Sequence, residues 1–279
     1  MLERMFKLQE NKTNVKTEVL AGLTTFMTMA YILAVNPNIL ATTGMDKSAL
    51  VIATALAAFV GTMLMALLAN YPFALAPGMG LNAYFAFTVV GLHGYSWQLA
   101  LAAVFAEGLI FIILSVTNVR EAIFNAIPMT LKSAVSVGIG LFIAFIGFQN
   151  AKIVVNNDST LVSLNAFKGG PETVGAVLAI IGIIITAILL VKGVKGGILY
   201  GIILTWVLGI VCQLTGIYVP NPEIGMYSLI PTQFFSHDLS SFGKIFGQVA
   251  NVKAWGAIKV LDFIVVMFAF LFVDIFDTI

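Results

Sequence analysis

Long apolar runs separated by short polar stretches recur along nearly the whole chain. A helix needs about 20 consecutive apolar residues to cross the hydrocarbon of a bilayer. By that measure the pattern predicts spans near 19–37, 48–69, 73–91, 97–117, 131–149, 173–191 and 197–216. An eighth run begins near Ala254 and reaches Ile279. The polar stretch 1–18 is expected to be a retained cytoplasmic tail, because a cleavable signal has a shorter apolar region and a small-residue cleavage site. The stretch 217–253 carries Pro220, Pro222 and Pro231, and is expected to be an extracytoplasmic loop. Its mildly amphipathic segment Leu239-Ser-Ser-Phe-Gly-Lys-Ile-Phe would form an interfacial helix on the membrane surface. The eighth run closes on no cap, glycine stop or cationic flank, and helices seldom end in lipid with open carbonyls. The expectation is a fragment of a longer protein, with a truncated eighth span over 254–279.

Composition makes lipid the natural solvent. Sixty per cent of residues are hydrophobic, 10% are charged, and the mean hydropathy is +1.03; a soluble chain needs far more polar cover. The balance of 14 Lys+Arg against 13 Asp+Glu offers no basic field for nucleic acid, which removes that class of partner. A single cysteine, Cys212, excludes disulfides and cysteine-built metal sites as organising features. With the N-terminus inside, Arg4, Lys7, Lys12, Lys16, Arg120, Lys132, Lys192 and Lys195 fall on the cytoplasmic side. Lys47, Lys152, Lys168, Lys244, Lys253 and Lys259 fall outside. The dense N-terminal cluster and the short Lys192–Lys195 turn set this orientation.

Three features carry candidate chemistry. Asp274 and Asp277 lie three residues apart, on one face of the eighth span. An ionised Asp at a helix centre costs about 2.5–3.5 kcal/mol on insertion scales, so two call for a reason. A carboxyl in that setting can take up and release a proton, as a proton-coupled carrier requires; the plainer reading is a pair at the headgroup level. The second feature is Tyr71-Pro72-Phe73-Ala74-Leu75-Ala76-Pro77-Gly78-Met79-Gly80-Leu81-Asn82-Ala83-Tyr84. Two prolines and two glycines predict an extended stretch to about Pro77 and a half-helix from Gly78, with Asn82 in its first turn. Broken helices at membrane depth line cavities or are buried in protein, and in transporters they meet the substrate. Close packing through glycine is the alternative. The third is the first span, where Thr24, Thr25 and Thr28 form a polar stripe and Asn36-Pro37 is expected to end or kink the helix. Each threonine could equally bond its own helix carbonyls.

Other polar residues carry less. Glu107 in the fourth span suits a hydrogen-bonded structural role as well as a transport role. His93 and His237 fall in predicted loops, and the glycine-spaced run from Gly138, with Gln149 and Asn150 at its mouth, suits helix packing. No nucleotide loop, metal motif or nucleophile elbow is visible, so an enzyme is not expected.

The segments Gly22-Leu-Thr-Thr-Phe-Met-Thr-Met-Ala-Tyr, Ala76-Pro-Gly-Met-Gly-Leu-Asn-Ala-Tyr and Phe272-Val-Asp-Ile-Phe-Asp-Thr-Ile resemble the AzgA-like purine permeases. These are a branch of the nucleobase–cation symporter 2 (xanthine/uracil permease) family. The resemblance runs along the whole chain in order. It implies an all-α integral membrane protein with fourteen spans in two inverted seven-span repeats, of which this chain holds the first seven and part of the eighth. It also implies that the third span begins as a short strand. The core (transport) domain would comprise 19–117 and 254–279, and the gate domain 118–216. The implied activity is proton-coupled uptake of hypoxanthine, guanine or adenine across the plasma or inner membrane, with the chain inactive alone. By resemblance, Asn82, Asp277 and Asp274 bind the substrate, and Asp274 and Asp277 couple the proton; Thr25 of the threonine stripe and Gly80 of the half-helix are the further candidate substrate-binding residues. No cofactor or metal is implied beyond the proton as coupling ion. The partners are a purine nucleobase, H⁺ and the lipid bilayer, with a homodimer as a further one. Alternatives from the residues alone are an inorganic anion carrier of the same fold, which two aspartates near the site disfavour, and a non-transporting membrane remnant.

Overall fold

Helices dominate because so few backbone groups could otherwise be satisfied in lipid. The computed structural model describes residues 6–117, 119–221, 226–230 and 260–277. Its helices are α1 (Val15–Met29), α2 (Ile32–Ala41), α3 (Lys47–Leu64), α4 (Met79–Ala83), α5 (Trp97–Val116), α6 (Val119–Ala126), α7 (Met129–Asn150), α8 (Pro171–Val191), α9 (Gly197–Leu214) and α10 (Val260–Asp277). The π-helical segments Met65–Ala69 and Tyr84–Leu92 prolong α3 and α4. Among the described residues, six helical runs are long and apolar enough to cross a membrane, and Met79–Leu92 is a shorter apolar helix. The chain is thus a multi-pass membrane protein. α10 matches α9 in length at 18 residues but carries Asp262, Asp274 and Asp277.

The structure departs from expectation at three places. The first span breaks at Ala30–Tyr31, whereas α2 runs through Pro37 to Ala41. Proline removes only one helix bond there, and the turns on either side hold. The short strand implied for the third span does not form: 71–78 takes no regular structure and joins no ladder among the described residues. The Thr62 hydroxyl meets both backbone groups of Leu75 instead, accepting from its N–H at 2.9 Å and donating to its carbonyl at 3.3 Å. Third, a hairpin of β1 (Val154–Asn157) and β2 (Leu161–Leu164) fills part of the stretch between the fifth and sixth spans, with Val154 opposite Leu164. The expected interfacial helix at 239–246 lies outside the described residues.

The chain divides into two compact units. One takes the described residues up to Tyr31, Met65–Ala74 and the described residues from Ala144 to 230; the other takes Ile32–Leu64, Leu75–Ile143 and α10. In the first unit α8 and α9 pack face to face. A Cβ at Gly182 would strike Thr205, and one at Gly201 would strike Thr186, so these glycines set the approach. In the second unit α5 and α10 pack together around Ala100, Ala103, Val266 and Phe270, with Phe85 and Val89 beneath. Phe270 is fully buried and meets Tyr84 edge to face at 5.3 Å, a geometry that aligns ring edge and ring face favourably.

Candidate functional site

The broken third span organises the second unit. Pro72 and Pro77 keep the backbone out of helix, and Gly78 is still extended at φ −69°, ψ 125° as the N-cap of α4. The helix then turns so that Asn82 lies in its first turn, its N–H on the Gly78 carbonyl at 3.2 Å. The Asn82 carboxamide donates to Asn36 Oδ1 on α2. Asn36 Nδ2 donates to Thr54 Oγ1 on α3 at 2.8 Å, and Thr54 donates to the Leu50 carbonyl at 2.7 Å. Asn36 and Thr54 are each only 3% exposed. The relay runs in one direction, and Asn82 is held by its NH₂.

Beside the half-helix that carries Asn82 opens a cleft of about 480 Å³, within the size range of small-molecule sites. Gly80, Tyr84, Phe87 and Thr88 form one wall, Val135, Gly138, Ile139 and Phe142 of α7 another, and Phe272 and Val273 of α10 a third. Gly80 is therefore in the wall. Asn82 and Asp274 are not, although each is a near neighbour in sequence of residues that are. Asp274 is half-buried on α10, which packs against α5, the helix that carries Glu107. Asp277 stands in the last turn of α10, with its side chain outside the described residues. Thr25 belongs to the other unit, and its hydroxyl donates to the Ala21 carbonyl of its own helix at 3.0 Å. Thr24 bonds the Leu20 carbonyl in the same way and Thr28 that of Thr25. His93 is exposed and stacks on Tyr95; His237 lies outside the described residues. Among the described residues no three His, Cys, Asp or Glu side chains gather as metal ligands.

Two polar residues matter more here than their sequence context suggests. Asn36, read as a helix breaker, anchors Asn82. Glu107 is 3% exposed and its Oε1 has no hydrogen-bond partner. The signal for both was a strongly polar side chain inside an apolar run.

The chain matches the xanthine/uracil permease model, described as Permease family, over residues 16–279. It is 45% identical to a putative permease of Methanocaldococcus jannaschii over 277 residues, covering 99% of this chain and 58% of that protein. It is 43% identical to a guanine/hypoxanthine permease of Bacillus subtilis, covering 99% of this chain and 60% of the relative. An adenine permease of Escherichia coli is 44% identical over 75% of this chain and 46% of its own length. The chain thus spans less than two thirds of the length of these relatives.

Proposed function

The chain belongs to the Permease family, and from that premise we propose that it is part of a proton-coupled carrier of purine nucleobases such as hypoxanthine, guanine and adenine. The observation that carries this reading is the broken third span, with Asn82 clamped by Asn36 and Thr54 in the same unit as the acids of α10. A purine presents N–H donors, ring-nitrogen acceptors and a flat π face. Asn82 Oδ1 and the Asp277 carboxylate accept from its N–H edge, while Tyr84, Phe87 and Phe142 offer rings for its face. Asp274 and Asp277 take the coupling proton, which links the proton gradient to occupancy of the site. The core, 19–117 with 254–279, rocks against the gate, 118–216, to give alternating access. Because the relatives are longer, transport is proposed for the full-length protein, two inverted repeats together, and not for this length alone.

Uptake of radiolabelled hypoxanthine by the full-length protein, in cells lacking other purine carriers, tests the reading. It predicts uptake that competing adenine or guanine reduces and that Asn82→Ala or Asp277→Ala abolishes. Uptake left intact by both substitutions, or none in the unmodified protein, would overturn it.

A further inference from the structure

The mechanism above uses the acids of α10 and leaves aside a carboxyl that the fold buries more deeply. Glu107 sits midway along α5, 3% exposed, with Oε1 unpartnered. A buried carboxylate is normally met by a cation or by several N–H donors, because an unpaired interior charge is strongly disfavoured. The elements packed against α5 are α10, α6 and the π-helical segment Tyr84–Leu92. From α10 comes Asp274, one turn beyond Phe270, as Glu107 is one turn beyond Ala103 in the same packed core. Asp262 lies twelve residues before Asp274, on the order of 18 Å along the helix. The π-helical segment offers the Tyr84 phenol. Arg120 and Glu121 of α6 lie past the far end of α5. The side chains of Arg120 and Asp277 lie outside the described residues.

We propose that Glu107 is a further proton-binding group of the carrier, holding one proton in common with Asp274 across the packing of α5 on α10. The proposal rests on the purine-carrier reading. Two carboxylates charged together in a dry helix interface repel strongly, whereas an acid and a carboxylate do not. With the proton on Glu107, the charge stands on α10, where the N–H edge of a purine is received. With the proton on Asp274, the charge stands on α5. The exchange breaks an O–H bond at one carboxyl and makes one at the other, and needs no further reactant. Glu107 thereby stores the proton outside the substrate-contacting groups.

The test uses the full-length protein and Glu107→Gln, which keeps the shape of a neutral acid, with Glu107→Asp as the variant that restores an acid. Infrared difference spectra across an acid–base titration should show a protonated-carboxyl C=O band that Glu107→Gln loses and Glu107→Asp recovers in shifted form. In membranes, Glu107→Gln should still exchange labelled hypoxanthine for unlabelled, but lose accumulation driven by a proton gradient and the dependence of uptake on external pH. An infrared band unchanged by Glu107→Gln would overturn the proposal, and so would accumulation with the unmodified pH profile. Loss of exchange as well would also overturn it, by making the residue structural. Absence of purine transport in the unmodified protein would sink the carrier reading alone, and the band would still decide the proton site.

Discussion

Asn82 owes its orientation to two side chains far from it in sequence. Asn36 and Thr54 fix its NH₂ end through a buried relay, so removing either should act through Asn82. Asn36→Ala should raise the half-saturation concentration for purine about tenfold, roughly 1.4 kcal/mol of binding, while the maximal rate stays close to that of the unmodified protein. Initial-rate uptake over a range of concentrations separates the two quantities. Thr54→Val leaves Asn36 Nδ2 buried without an acceptor and should cost about 1–3 kcal/mol of stability, read as a lower unfolding temperature in detergent. The proline–glycine run made Asn82 legible in the sequence. Its partner was not, because a polar residue in an apolar run announces that it needs a bond but not which helix supplies it. Glu107 was opaque for the same reason: burial and a missing partner are properties of the neighbours.

At the scale of elements, hydrophobic run length located the spans and the Pro/Gly chemistry located the break in the third. The β1–β2 hairpin was missed because its turn is made by a local side-chain device: Asn157 Oδ1 accepts from the N–H groups of Ser159 and Thr160 at 2.9 and 3.1 Å. The break in the first span was misplaced because proline is a strong sequence signal and the Ala30–Tyr31 interruption carries none. Helix approach could be read only in outline. Gly182 and Gly201 sit in apolar runs with other glycines, yet only the Thr205 and Thr186 side chains facing them make them obligatory. Gly201→Leu should force α8 and α9 apart and destabilise the unit by about 1–3 kcal/mol. The thermal midpoint of the purified protein in detergent checks this; Gly216→Ala is no neutral control, since Gly216 has φ +76° and would be strained by a side chain. Gly138→Ala, which meets open space inside a helix, is the better control and should leave the midpoint unchanged or raise it slightly.

For the whole molecule, the chain belongs to the Permease family and divides into two compact units, and the carrier reading turns on coupling to protons. The relatives named as guanine/hypoxanthine and adenine permeases are longer than this chain, so the measurement belongs to the full-length protein. The most direct is proton movement itself, followed with a pH-sensitive dye trapped in liposomes that contain the purified protein. Adding hypoxanthine outside should acidify the interior as labelled purine enters, and Asp274→Asn should abolish the acidification. Purine entry with no acidification would contradict the account.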